Sequence, residues 1–384
     1  MTSLPDAGTQ RPAEPPAPPA AALRRLAVRD FRNIERLDLA LAPTGLAVVG
    51  ENGHGKTNLL EAIYYLQLLR SVRGARDPDL VRFGAAGFHV AGTVDPDGRE
   101  VAVGFARHGK RKRAKLNGAE PQRLSDALGK LPSVIFSPGD VQLVAGAPSE
   151  RRRYLDVVLA LTSRPYLNAL QTYRAALARR NAALRDALRT GGGEGRVAVW
   201  EPALAEHGAV LWRERSRWVD ERRDEFAQLC EAIGERAPVS MRYATALAPT
   251  DDPAGALAAA LAAKRPLDLR RGVTHAGPHR DDLELALGGR DLRLFGSAGQ
   301  QRTAAIALRM LESQTLRDRT GSPPVLLLDD PFAELDARRA HRILGLLGEA
   351  GMGQVLVAVP REVDIPPELT RLERREIRDG VLSG

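Results

Sequence analysis

Gly50-Glu51-Asn52-Gly53-His54-Gly55-Lys56-Thr57 matches the P-loop pattern G-x-x-x-x-G-K-[ST] at every fixed position. Its flanks supply the context the motif needs. Leu46-Ala47-Val48-Val49 reads as a short buried strand, and Leu59, Ile63, Leu66 and Leu69 recur at helical spacing on one face. Gly53 and Gly55 let backbone N–H groups curl inward around oxygen atoms. The open helix end adds roughly half a positive charge. Lys56 is then placed to reach the β- and γ-phosphates of a triphosphate, and the Thr57 hydroxyl to hold Mg²⁺. A fortuitous glycine-rich turn is the bland alternative, so the rest of the chain has to decide.

The chain has 384 residues, enough for two or three domains with a real core. Hydrophobic residues make up 43% and charged residues 27%, ordinary values for a soluble globular protein. No apolar run is long enough to span a bilayer and no signal-peptide pattern opens the chain, so a membrane role is not expected. The single cysteine, Cys230, excludes an internal disulfide and fits a reducing cytoplasm. A formal charge of +8 and a pI of 10.0 favour a polyanionic partner. Aromatics are only 4%, which points to backbone contact rather than base stacking.

Residues 1–22 are dominated by Pro and Ala and read as a disordered tail. Strand patterns follow at Leu26-Ala27-Val28, at 37–41, at 88–92 and at 101–105. The basic run Lys110-Arg111-Lys112-Arg113-Ala114-Lys115 precedes Asn117-Gly118, which predicts a hairpin with a charged tip, either solvated or in contact with phosphates. Arg70 and Arg73 are further cations beyond the P-loop helix. From Pro148 to about Ala237 the chain turns rich in Ala, Leu, Arg and Glu, the pattern of a helical lobe broken at Gly191-Gly192-Gly193. Arg217 with Glu221 and Asp220 with Arg223 fall at helix-neighbour spacing. Arg151-Arg152-Arg153 are different: with Ser149 as N-cap they crowd a helix N-terminus, which calls for a compensating anion, either a carboxylate or DNA.

Strand character returns at 240–243, an Ala-rich helix spans 254–264, and 283–287 with 292–295 reads as a hairpin. Between them, Thr274 to Asp282 carries His275, His279, Asp281 and Asp282. A metal site is one reading; with Pro278 and no helical frame, a hydrogen-bonded junction fits better. Val325-Leu326-Leu327-Leu328-Asp329-Asp330 suits a buried parallel strand whose acidic end meets the P-loop. Asp329 is placed to hold Mg²⁺ and Asp330 to orient or deprotonate the attacking water, or else to cap the next helix. Ser297-Ala298-Gly299-Gln300 opens a helical stretch, as a phosphate cradle or a plain helix cap.

These three elements in this order resemble the ABC-type ATPase head, an α/β fold with a P-loop mixed sheet interrupted by a mainly helical lobe. Ser297, Gly299 and Gln300 look like its signature motif, and Glu334-Leu335-Asp336, with Asp336, like its D-loop. The resemblance narrows to the RecF family, relatives of the SMC proteins. It is carried by Phe31-Arg32-Asn33, the stretch 50–58, Phe136-Ser137-Pro138-Gly139-Asp140, and the stretches 274–282, 295–302 and 328–336. It implies a head built from 23–147 and 272–384, split by a helical lobe at 148–271. It also implies ATP and Mg²⁺ as ligands and an ATP-dependent homodimer in which the P-loop and Asp329 of one subunit face Ser297, Gly299 and Gln300 of the other. The family binds DNA at single-strand/double-strand junctions and acts with RecO and RecR to load RecA on gaps, in the cytoplasm at the nucleoid. Candidate DNA contacts are then Arg70, Arg73, Lys110, Arg111, Lys112, Arg113, Arg151 and Arg152. Three departures from the wider pattern stand out. Asp330 replaces a usual Glu, no glutamine near Phe136-Ser137 serves as a Q-loop, and Ala358 and Val359 stand where a polar switch residue is usual. The shorter carboxylate of Asp330 sits farther from the water, so slow turnover is expected, and the missing switch residue leaves no side chain there to sense the γ-phosphate. The alternatives are a transporter ATPase subunit, a small-molecule P-loop kinase and a non-enzymatic DNA scaffold; the helical insertion speaks against the first and the Ser297 motif against the second.

Overall fold

The computed structural model describes residues 21–191, 193–331 and 335–383. The expected tail at 1–20, the middle glycine of 191–193 and residues 332–334 lie outside them. Ala22, assigned to the tail by composition, already opens the first strand.

β1 (Ala22–Phe31) and β2 (Ile34–Ala40) make a hairpin, and β3 (Gly45–Val49) runs into α1 (Lys56–Leu68). The short α2 (Asp77–Leu80) leads to β4 (Gly87–Asp95), β5 (Arg99–Ala106) and β6 (Arg111–Leu116). β7 (Ser133–Phe136) and α3 (Gln142–Ala145) precede α4 (Pro148–Thr162), α5 (Arg164–Thr190), α6 (Glu194–Ala198) and the long α7 (Glu201–Ile233). Then come β8 (Val239–Ala244), α8 (Pro253–Arg271), β9 (Asp282–Leu287), β10 (Arg290–Asp291), α9 (Leu292–Phe295) and α10 (Ala298–Thr320). β11 (Val325–Asp329), α11 (Ala337–Glu349), β12 (Val355–Val359), β13 (Glu373–Arg378) and β14 (Val381–Ser383) complete the chain.

The strands form three sheets, ordered β2-β1-β4-β5-β6, β10-β9-β8 and β14-β13-β3-β12-β11-β7. In the last, β13, β3, β12, β11 and β7 are parallel, and β14 alone is antiparallel. Parallel strands have both faces covered, and here the side-chain alternation sorts them into two cores. Leu46, Val48, Leu327 and Leu356 pack toward α1 and the antiparallel sheet, while Ala47, Leu326, Leu328 and Val357 pack toward α4, α7 and α10. Helix α1 is thus buried on nearly every side rather than along one stripe. Its Leu59, Leu60, Ile63 and Tyr65 are fully enclosed, which is what an apolar helix between two sheets requires.

Several local expectations change. The basic run at 110–115 is no hairpin tip: it forms the edge strand β6, with the turn at 107–110 before it. The strand pairs on one edge and keeps Arg111, Arg113 and Lys115 exposed on the outer face. Leu292–Phe295 is a helical turn, not the second strand of a hairpin, and the Ala-rich helix runs on to Arg271. Helix α4 starts at Pro148 with Ala147 at its cap, ahead of the position a Ser149 cap would give. A carboxylate compensates Arg151, which holds Asp282 by two bonds of 2.8 and 2.7 Å, while Arg152 and Arg153 donate to backbone carbonyls. The helix pairs Arg217–Glu221 and Asp220–Arg223 form at 3.9 and 3.5 Å.

The 274–282 stretch is a hydrogen-bonded junction, and no metal-holding cluster occurs among the described residues. His275 Nδ1 meets Asp268 at 2.7 Å. His279 sits between the Tyr173 hydroxyl, 2.6 Å from Nδ1, and the Thr274 carbonyl, 3.1 Å from Nε2. Burial pushes its pKa down to about 4, outweighing the bond to Thr274. A neutral imidazole that accepts from Tyr173 and donates to Thr274 satisfies both contacts.

Candidate nucleotide site

The loop 50–55 leaves β3 at the C-terminal edge of the parallel sheet, between β12 and β13, and α1 begins at Lys56. Gly55 has φ +113, and a Cβ there would stand 2.9 Å from the Asn33 amide, so this position needs glycine. Lys56 is nearly buried at 6% exposure. Its ammonium donates to the carbonyls of Gly50 and Glu51, the latter at 2.9 Å. Burial lowers its pKa, and Asp329 and Asp330 push back. His54 anchors the loop from outside: its Nδ1 accepts from the Asp379 N–H at 3.1 Å, and its carbonyl from the Gly380 N–H at 2.9 Å. The C-terminal β13–β14 turn therefore supports the P-loop directly.

Strand β11 delivers the acids. The Thr57 hydroxyl donates to Asp329 Oδ1 at 2.9 Å although the two lie most of the chain apart. Burial raises the pKa of Asp329 and the Thr57 bond opposes it. A hydroxyl and a carboxylate in contact are the hard oxygen donors that Mg²⁺ takes. Asp330 is raised by burial too, opposed by Lys56. Its φ of 44 places a non-glycine residue in the left-handed region, and its N–H bonds to the Ala358 carbonyl at 2.9 Å. Such backbone outliers cluster at functional sites. Ala358 and Val359 are themselves buried in β12 and offer no polar side chain.

The structure supplies supports that local sequence patterns did not reveal. Glu61 is fully buried in α1 and takes Arg32 through bonds of 2.9 and 3.2 Å, Arg73 at 2.5 Å and Ser71 at 2.5 Å. Burial pushes its pKa up, but these donors outweigh it and hold it below the usual range. The β1–β2 turn carries Arg32 and Asn33, and Asn33 accepts from Asn58 at 2.9 Å. The turn thus braces both the glycine loop and its helix. Gln142, a few residues past Ser137, lines a cleft of about 730 Å³ together with Thr57, Arg73, Asp140 and Asp329.

The Ser297 motif begins α10 on the surface and does not line that cleft. Ser297 does cap the helix: its hydroxyl accepts from Gln300 N–H at 3.3 Å, and the Gln300 side chain accepts from Ser297 N–H at 2.9 Å. Gln300 also reaches Glu235, just past the end of α7, at 3.4 Å. Further along the same turn, Arg302 donates to the carbonyls of Pro138 and Pro331, both at 3.2 Å. The first turn of α10 is thereby tied to the exit of β11. Asp336 caps α11 by accepting the Arg339 N–H at 3.0 Å, which lowers its pKa.

The candidate DNA contacts divide by what already holds them. Arg151 is buried against Asp282, and Arg152 donates to the Asp281 carbonyl at 2.7 Å, so both tie α4 to the stretch that enters β9. Arg73 is engaged by Glu61 and Asn58, and Arg70 is half-buried. Lys112 points inward, 2.7 Å from Asp77 and over the Tyr65 ring. Lys110, Arg111 and Arg113 stay exposed.

A P-loop facing a buried Thr–Asp pair, on a parallel sheet backed by an antiparallel one, defines an ABC-type ATPase head of the SMC kind. The SMC head domain of Pyrococcus furiosus shares this fold, with a TM-score of 0.52 and 19% identity over 94% of this chain and 95% of that one. The chain belongs to the RecF family: residues 22–365 match the RecF/RecN/SMC N-terminal domain. It is 39% identical to the DNA replication and repair protein RecF of Anaeromyxobacter dehalogenans strain 2CP-C, over 94% of this chain and 98% of the relative. Against the RecF protein of Rhodococcus erythropolis strain PR4 it is 38% identical, covering 94% and 96%. A solved structure of the recombination mediator RecF with ATP, from the RecFOR pathway, superposes with a TM-score of 0.86 at 30% identity, covering 95% of this chain and 97% of that one.

Proposed function

We propose that this protein is an ATP-dependent DNA-binding factor of recombinational repair and replication-fork maintenance, acting as a homodimer closed by ATP. The observation that carries this reading is the separation of its two nucleotide half-sites: Thr57 and Asp329 share one cleft, while the capped N-terminus of α10 lies elsewhere on the surface. A second copy brings the halves together. Lys56 and the loop amides hold the phosphates, Thr57 and Asp329 hold Mg²⁺, and Asp330 orients the attacking water. The metal neutralises phosphate charge. Hydrolysis is slow because Asp330 has a short carboxylate, and it reopens the dimer. Asp330→Asn should bind ATP, lose turnover by about 10²-fold or more, and accumulate as a dimer in sedimentation with ATP. A variant that turns over normally would remove Asp330 from the chemistry, and wild-type protein that stays monomeric with ATP on gapped DNA would end the dimer reading.

The DNA surface is assigned to the outer face of the antiparallel sheet. Arg36 pairs with Arg29, Arg29 with His89, His89 with Gly104 and Gly104 with Arg113, one row of side chains across all five strands. A groove of about 510 Å³ there has a floor that includes Ala102, Gly104 and Ala106, rimmed by Arg111, Arg113 and Lys115. Small residues between cations suit a sugar-phosphate backbone laid across the sheet. Duplex affinity should fall steeply with salt. Arg111→Ala with Arg113→Ala should flatten the slope of log K against log salt by about 0.9 for each phosphate no longer neutralised. An unchanged slope would move the DNA to another face. Partnership with RecO and RecR, RecA loading at gaps and work at the nucleoid in the cytoplasm follow from the family. The transporter reading loses its support to the RecF relatives.

A further inference from the structure

We propose that Arg339 is a catalytic arginine acting in trans, delivered by the signature face of one subunit to the terminal phosphate held by the P-loop of its partner. This rests on the ATP-closed dimer proposed above. Arg339 lies in the first turn of α11, three residues after the cap Asp336. Its guanidinium leans onto the signature loop: a Cβ added to Gly299 would stand 2.9 Å from Arg339 Nη1. One cation thus lies beside the N-terminal ends of two helices, α10 and α11, both positive. Its carboxylate partner among the described residues is Asp336, at 3.7 Å and itself 61% exposed.

That arrangement repels positive charge unless an anion of higher charge completes it. Nearby, the N–H groups of Ala298 and Gly299 precede the first intrahelical donors of α10 and need an outside acceptor. The N–H of Gln300 is already taken by Ser297 and that of Gln301 by the Ser297 carbonyl. A triphosphate oxygen satisfies all of these at once: two orphan donors, two helix ends and a guanidinium with most of its five donors unspent. On α10, Arg302 is engaged by two carbonyls and Arg309 by Asp140 and Glu312, while Arg338 and Arg342 of α11 are exposed.

The same chain lacks a polar group where β12 ends, at Ala358 and Val359. Within one subunit, Lys56 neighbours Asp329 and Asp330, and Arg73 lines the same cleft as Thr57 and Asp329; both cations are in place before any closure. An arginine from the partner supplies charge that appears only on closure, which would couple dimerisation to hydrolysis. Arginines used this way raise phosphoryl-transfer rates by about 10³–10⁵. The close approach also explains a glycine at 299: any side chain there displaces the guanidinium.

The test uses full-length protein with ATP, Mg²⁺ and gapped DNA. Arg339→Ala should keep the wild-type thermal melt and bind ATP as a monomer with Kd within about twofold, while turnover falls about 10²-fold or more; Arg339→Lys should recover part of it. Mixing Arg339→Ala with Asp330→Asn, which still binds ATP and associates, decides the direction. A trans arginine gives the mixed dimer one complete site, so two inactive preparations regain turnover on mixing. Arg339→Ala turning over like wild type would overturn the proposal, as would a mixture that stays inactive while the wild-type dimer forms. Wild-type protein that never dimerises with ATP would instead strike the dimer reading itself.

Discussion

Lys56→Ala is expected to abolish ATP-driven association and to lower ATP turnover by about 10²–10³-fold, the usual cost of deleting a preorganised electrostatic contact in a catalytic site. The physical case begins with the lysine's surroundings. It lies at the N-terminus of α1, nearly buried, with two loop carbonyls as acceptors. Burial lowers its pKa and the paired acids of β11 oppose that shift. The ammonium offsets those acids and is the charge placed to offset an incoming triphosphate. With alanine there, Asp329 and Asp330 face the phosphates without it, and repulsion among anions in a partly dehydrated cleft weakens binding itself. The fold should survive, because the rest of α1 is packed from both sides and Glu61 stays clamped. Nucleotide binding, sedimentation with and without ATP, and turnover on gapped DNA measure the three parts separately. An ATP-dependent dimer of unchanged stability in the Lys56→Ala variant would show that this loop does not govern association.

The elements legible in the sequence were those whose chemistry is written in consecutive residues. The glycine loop, the apolar strand ending in Asp329-Asp330 and the Ser-x-Gly helix start each carry a local reason for their residue types. What was not legible depends on distant partners. The Arg32-Asn33 turn reads as a polar hairpin end until folding sets it against Glu61 and Asn58. Gln142 lines the nucleotide cleft from beyond a short helical turn, a placement that depends on the fold. Arg151-Arg152-Arg153 shows the intermediate case: the clash with the helix dipole was visible and demanded an anion, but only the structure identifies Asp282. In β6, charge composition suggested the wrong element, because a basic edge strand and a charged hairpin tip look alike without the register.

Arg180→Met is expected to destabilise the protein by about 3–5 kcal/mol, the range for removing one partner of a buried ion pair. Arg180, in α5, is fully buried. It donates to Asp268 of α8 at 2.7 Å, to Glu201 of α7 at 2.8 Å and to the Thr274 hydroxyl at 2.8 Å. Arg265 adds a second cation on Glu201, with its closest bond at 2.6 Å, so two cations balance two carboxylates where three helices meet. Methionine fills much of the same volume but leaves Asp268 with only His275 and its backbone N–H as donors, and Glu201 with Arg265 alone. The cost is therefore dominated by uncompensated buried charge rather than by lost packing. Removing Asp268 as well, in Arg180→Met with Asp268→Leu, should recover part of the stability, giving a favourable coupling of at least about 1 kcal/mol in a double-mutant cycle. Denaturant unfolding of the single and double variants reads both quantities. A single variant within about 0.5 kcal/mol of wild type would mean that water reaches the site and that the junction holding the 274–282 stretch is fixed by packing alone. The consequence reaches beyond stability. Thr274 leads through His279 to Asp282, the carboxylate that holds Arg151, so loosening Arg180 should also free the contact between α4 and the stretch 274–282.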